Sequence, residues 1–191
     1  MKPIGQVILE VDDILNSAGV AHAFGGALAL AYYARPRGTV DVDLNVATPF
    51  ASRESLLASF EGHGWEEGAS SGGGLPAAGI RLRQADETVV LDLFFVFDPF
   101  HEAVLSRAVV MPYLHAGQRR ELPFLAVEDL IVFKMSFGRP QDWVDMASIV
   151  QAGTPIDVDA VERRAVAFIG PRGHPSAARL RSIVAGHVGT G

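Results

Sequence analysis

The chain has 191 residues, of which 49% are apolar and 20% charged, and its formal net charge is −6. These proportions suit a single globular domain with a real core and exclude a disordered, highly charged chain. No cysteine is present, which excludes disulfide scaffolds, zinc ribbons, c-type haem and thiol nucleophiles, so any metal must be held by oxygen or imidazole. No stretch approaches the roughly 18 uninterrupted apolar residues of a membrane span. The start, Met1–Gly5, runs into Glu10, Asp12 and Asp13, unlike a signal peptide, so a cytoplasmic protein with no membrane partner is expected.

Ile4, Val7, Ile8, Val11, Ile14 and Leu15 recur at helical spacing and predict a helix over 4–17. Val20–Phe24 reads as a short buried strand ending on Gly25-Gly26, and Ala27–Ala34 as a helix, which gives strand, glycine turn, helix. Over 39–46, Val40, Val42, Leu44 and Val46 alternate with Asp41, Asp43 and Asn45, a strand with one apolar face. A helix over 52–62 follows, and the Gly/Ser-rich stretch 69–78 reads as a flexible loop. The pattern then predicts a hairpin of 80–83 with 88–97 turning at Asp86-Glu87, its second strand central, and a short helix over 100–107. Two edge strands around 109–113 and 119–122 and helices over 127–137 and 140–150 complete the body. Helices over 157–169 and 176–187, separated by Gly170-Pro171-Arg172-Gly173, form the tail. The expected domain organisation is therefore 1–154 with a helical extension over 155–191.

Asp41 and Asp43 stand two apart on a strand and project from one face, where two carboxylates can share a divalent ion. With 12 aspartates such a pair arises by chance, and Asp157-Val158-Asp159 is a second one, placed to cap a helix. Company separates the two pairs. A third aspartate, Asp92, interrupts the apolar run 89–97, where an unpartnered carboxylate is costly and must face a cation, a hydrogen-bond cluster or water. If its strand lies beside that of Asp41, three carboxylates converge and hard cations such as Mg²⁺ relieve their repulsion; the alternative is the solvent face of an edge strand. Gly25-Gly26, at a strand end and helix start, offers backbone N–H groups and a helix dipole to a phosphate. It lacks the lysine of a P-loop and the third glycine of a dinucleotide fingerprint. A glycine turn, an Asp-x-Asp strand and a third strand carboxylate together describe two-metal attack on a nucleotide α-phosphate.

The run from Phe24 through Gly25, Gly26 and Leu30, followed by Arg37-Gly38-Thr39-Val40-Asp41-Val42-Asp43-Leu44, resembles the signature of minimal nucleotidyltransferases of the polymerase-β superfamily. Glu128–Lys134 followed by Arg139-Pro140-Gln141-Asp142-Trp143-Val144-Asp145 is similar to the Lys-x4-Arg-x2-Asp-x2-Asp block of AbiEii-type nucleotidyltransferases of toxin–antitoxin systems. The likeness spans roughly residues 20–150 and departs in the Arg35–Gly38 loop, which is slightly longer than that pattern. It implies an α/β (α+β) nucleotidyltransferase fold, a mixed β-sheet flanked by helices with C-terminal helices. It implies Asp41, Asp43 and Asp92 as catalytic and metal-binding carboxylates for Mg²⁺, two ions, with Mn²⁺ as a substitute. Gly25, Gly26, Arg37, Thr39, Lys134 and Arg139 are then the nucleotide-binding residues. The implied reaction transfers an NMP group from a nucleoside triphosphate to a hydroxyl of RNA (tRNA), a protein or a small molecule. A cognate antitoxin is the implied partner; antibiotic modification and a non-catalytic nucleotide-binding module are the alternatives.

Only Lys2 and Lys134 among the 16 cations are lysines, which singles out Lys134, expected to reach the triphosphate with Arg139 set by Asp142 or Asp145. The competing readings are a solvated helix lysine or a salt bridge to Glu128 or Asp129. Residues 1–160 carry −10 and the remainder +4, so the tail arginines are either solvated helix faces or a guide for RNA. The six histidines lack metal-ligand spacing, and Trp65 and Trp143 read as packing residues.

Overall fold

A computed structural model of the chain describes residues 2–68, 79–85 and 88–188. The expected loop over 69–78 and the turn at Asp86-Glu87 lie outside the described residues. In chain order the elements are α1 (Ile4–Ser17), β1 (His22–Phe24), α2 (Gly26–Tyr33), β2 (Asp41–Pro49), α3 (Arg53–Glu61), β3 (Trp65–Glu67), β4 (Gly79–Gln84) and β5 (Val90–Val96). They continue with α4 (Pro99–Ser106), β6 (Val109–His115), β7 (Gln118–Phe124), α5 (Val127–Phe137), α6 (Pro140–Gln151), α7 (Val158–Ile169) and α8 (Gly173–Val188). Among the described residues no helix is long and apolar enough to cross a membrane.

Packing divides the chain into two units. The first combines the residues up to Leu28 with Gly38–Leu125 and contains a seven-stranded sheet of order β3-β4-β5-β2-β1-β7-β6. The sheet is mixed: β2 pairs parallel with β5 and β1 parallel with β7, the other neighbours being antiparallel. The period-two pattern of β2 explains its place, since Val42, Leu44 and Val46 are buried and lie beside Leu91, Leu93 and Phe95 of β5 on one apolar face. α1 buries the stripe Val7, Ile8, Val11, Ile14 and Leu15, and α3 and α4 pack on β2 and its neighbours. Asp98 starts α4 by accepting the Phe100 and His101 N–H groups at 2.7 and 3.0 Å, with Pro99 at the first helical position.

The second unit combines Ala29–Arg37 with the chain from Ala126 onward. In it α5 packs on α6 and α7, and α8 on α6 and α7. The helices on both sides of residue 154 thus share one packing unit. Gly138 ends α5 in the left-handed conformation (φ 65°). Asp157 caps α7 by accepting the Ala160 N–H at 2.9 Å, the role its Asp-x-Asp pair suggested. Asp157→Ala is expected to cost about 1 kcal/mol in urea denaturation.

One expectation is corrected and one strand goes unforeseen. β7 is not an edge strand: Leu122 and Phe124 are fully buried and Phe124 registers with Phe24 of β1. The charged run Arg119-Arg120-Glu121 and Pro123 hide that alternation in the sequence. The edge is β6, where Pro112 is tolerated and Val110 and Leu114 are exposed. The short strand β3, whose Trp65 pairs with Gln84 and is buried, is too brief to show a period.

Candidate active site

The parallel register of β2 and β5 sets Asp43 directly beside Asp92 and Asp41 beside Val90. Neighbouring strands run about 4.8 Å apart, and by strand alternation the three aspartates share one sheet face. Asp41 and Asp43 are partly exposed, whereas Asp92 is buried. On the far side β4 sets Arg81 opposite Asp92, and the guanidinium grips the carboxylate through two hydrogen bonds, Nε to Oδ1 at 2.7 Å and Nη2 to Oδ2 at 2.6 Å. That hydrogen bonding, with the charges of Asp92, Asp41 and Asp43 behind it, raises the Arg81 pKa. The buried charge of Asp92 has therefore found a cation within the protein.

At the other edge of this face stands the glycine turn. The Gly25 N–H donates to the Asp43 carbonyl at 2.8 Å, extending the β1–β2 ladder, so it is engaged in the sheet rather than bare. Gly26 has φ +52°, and a Cβ there would collide with the Asp43 carboxylate. The Cβ-free turn leaves room for that carboxylate at the start of α2. Gly26→Ala is expected to lose about 1–2 kcal/mol from the positive φ alone, with a further loss from the displaced Asp43, read by thermal unfolding. Thr39 steadies the entry to β2, its hydroxyl accepting the Asp41 N–H and donating to the Asp41 carbonyl, both at 3.1 Å.

Asp41 and Asp43 supply the paired hard oxygens that a divalent cation prefers, beside a cradle that a Cβ would fill. Among the described residues no group of three His, Cys, Asp or Glu side chains is gathered to hold an ion, and Asp92 is bound to Arg81. The residues present fit a cation at Asp41 and Asp43.

Arg37, Lys134 and Arg139 belong to the second unit and are drawn into its own charge network. Lys134 is buried, and its Nζ donates to Asp145 Oδ2 at 2.6 Å, with Asp142 at 3.9 Å. Arg37 reaches the two Asp145 oxygens at 3.1 and 3.2 Å, and Gln141 adds a bond at 2.9 Å. Arg139, largely exposed, donates its backbone N–H and its guanidinium to Asp142 at 2.8–3.2 Å. The partner of Lys134 is thus neither Glu128 nor Asp129; Asp129 instead accepts from Arg164 at 3.1 Å. Two further tail arginines are also engaged: Arg179 lies 3.9 Å over the Trp143 ring, and Arg181 pairs with Glu162 and Asp159.

Burial raises the Asp145 carboxyl, but hydrogen bonds from Lys134, Arg37 and Gln141 outweigh it and hold its pKa below the ordinary aspartate range. A depressed folded pKa contributes stability that is complete above the unfolded value of about 3.9 and is lost as pH falls through the lower folded one. A carboxyl ¹³C titration is expected to place the Asp145 midpoint below that of an ordinary aspartate; a midpoint at or above it would show that the network does not favour the charged form.

No protein-family model matches the sequence, and no curated protein matches it. Among solved structures, the chain is similar to the antibiotic-resistance factor ANT(2'')-Ia, with a TM-score of 0.54 and 18% identity over 95% of this chain and 93% of that one. An antigenic nucleotidyltransferase-like protein from Paracoccidioides brasiliensis matches with a TM-score of 0.54 and 19% identity, over 95% and 91% of the two chains. The lincosamide antibiotic adenylyltransferase LnuA, bound to lincomycin, matches with a TM-score of 0.50 and 10% identity, over 74% and 93%. At such identities the likeness speaks of architecture, and with the mixed sheet and its flanking helices it establishes that this chain has the nucleotidyltransferase fold.

Proposed function

We propose that the chain is a nucleotidyltransferase that moves an NMP group from a nucleoside triphosphate, ATP in the first instance, to a hydroxyl of a small-molecule acceptor. The observation that carries this reading is the register of Asp43 with Asp92, beside Asp41 and against the Cβ-free Gly25-Gly26 turn. A divalent cation, Mg²⁺ or Mn²⁺, would be held by Asp41 and Asp43 and would supply charge stabilisation at the α-phosphate and the leaving pyrophosphate. The acceptor oxygen forms its bond to the α-phosphorus, the bond to the pyrophosphate oxygen breaks, and the hydroxyl proton passes to a carboxylate of the aspartate set. Asp92 joins that set by exchanging its Arg81 contact. Gly25, Gly26 and Thr39 shape the phosphate end of the site.

The choice of a small-molecule acceptor draws on ANT(2'')-Ia, seen in complex with adenylyl-2''-tobramycin, and on lincomycin-bound LnuA. It also draws on the −10 charge of residues 1–160, which attracts cationic acceptors. The +4 tail favours a second reading, a tRNA acceptor, and the Lys134–Asp145 block a protein acceptor with a cognate antitoxin, all within the cytoplasm. Incubation with ATP, Mg²⁺ and panels of aminoglycosides, lincosamides and tRNA, followed by mass spectrometry, decides among them. An adenylyl adduct on a drug supports the proposal. Adducts confined to RNA transfer the reading to the second acceptor class, and absence of binding to all four NTPs ends it.

A further inference from the structure

Asn45 follows Asp43 by two residues on β2, so strand alternation puts its amide on the face of Asp41 and Asp43. It is only 4% exposed, and its Oδ1 is buried and meets no donor among the described residues. Buried polar atoms in native proteins nearly always have a partner, so an orphaned acceptor on the face of two carboxylates calls for a donor that the described residues do not supply. Its registered neighbours, Ala23 on β1 and Phe94 on β5, have no polar side chain to offer. The point where a Cβ on Gly25 would sit lies 3.1 Å from Leu125 Cδ1, 3.4 Å from Asn45 Nδ2 and 3.7 Å from Asp43 Cβ. Asn45 and Asp43, with Leu125, therefore line the same spot at the glycine turn.

We infer that the Asn45 amide oxygen accepts a hydrogen bond from a water in the inner hydration shell of the divalent cation held by Asp41 and Asp43. An amide oxygen can only accept. A triphosphate's ionised oxygens have no proton to give, and a bare cation has none, whereas a water polarised by the cation is a strong donor. Mg²⁺ dehydrates reluctantly and is typically held by one or two carboxylates with several waters retained, the situation of Asp41 and Asp43 while Asp92 is turned to Arg81. Asn45 is thereby a positioning residue that fixes the cation through its water and sets the affinity of the site. The inference rests on the proposed reading of Asp41 and Asp43 as cation ligands.

The test titrates the whole protein with Mn²⁺, following the free ion by electron paramagnetic resonance, and compares wild type with Asn45→Leu, alongside thermal melts without metal. Leucine of similar shape removes the orphaned acceptor, so the metal-free melting temperature is expected to hold or rise. The Mn²⁺ Kd is expected to weaken by about 10- to 100-fold, as when other hydrogen-bonding partners of a metal's ligand shell are removed. Asn45→Ala, which cannot clash, repeats the measurement should leucine not fit. An unchanged Kd in both variants overturns the inference and leaves the oxygen to an ordinary buried water. So does a weakened Kd seen only where the metal-free melting temperature also collapses. A wild-type protein that binds no Mn²⁺ instead overturns the reading of Asp41 and Asp43, so the two failures are told apart.

Discussion

Arg81→Met is expected to destabilise the protein by about 3–5 kcal/mol, because it strips a bidentate partner from a carboxylate that is nearly out of water. Methionine keeps the apolar stem, so the loss reports the guanidinium and not a cavity. At about 2–4 °C per kcal/mol for a domain of this size, the melting temperature should fall by roughly 6–20 °C. The double variant Arg81→Met with Asp92→Leu should recover most of this, since exchanging both halves of a buried pair for apolar groups is often neutral. A single-variant loss under about 1 kcal/mol would show instead that the pair behaves as a surface salt bridge.

Asp43→Asn is expected to abolish transfer in practice, with a loss of several kcal/mol of transition-state stabilisation, or about 10³ in rate. Asparagine fills the same space beside Gly26, so the glycine turn is not disturbed. Removing one of two adjacent like charges on paired strands should leave the melting temperature unchanged or slightly raised. Steady-state label transfer from α-³²P-ATP, set against a thermal melt of the same preparation, reads both quantities. Wild-type turnover in Asp43→Asn would remove this carboxylate from the chemistry.

The alternation of Val42, Leu44 and Val46 with two aspartates sufficed to orient β2, since period-two patterning is local and survives any tertiary context. The position of Asp92 as an acid inside an apolar run was equally plain, and the need for a cation, a hydrogen-bond cluster or water opposite it followed from solvation alone; the structure supplies a cation, Arg81. Which cation was a matter of register. A hairpin turning between Asp86 and Glu87 pairs residues equidistant from that point, and Arg81 and Asp92 are such a pair, so the sequence held this contact in a form that composition does not display. The Lys134–Asp145 contact and the insertion of β7 beside β1 were less accessible. Both depend on where helices and strands distant in sequence come to rest, and Asp142, Asp145, Glu128 and Asp129 are equivalent candidates until packing chooses among them.

The parallel partnership of β1 with β7, Phe24 against Phe124, bears on how the protein is made. A three-residue strand that carries the glycine turn must wait for a segment synthesised a hundred positions later before its second flank is covered, and β2 likewise waits for β5. Such distant pairings place most of the loop-closure entropy ahead of the contacts that compensate it, which belongs to the slow, millisecond-to-second end of folding. On the ribosome, at about 5–20 residues per second, β1 and β2 spend several seconds with unpaired edges. The nascent chain therefore cannot gather its carboxylates until β5 has emerged.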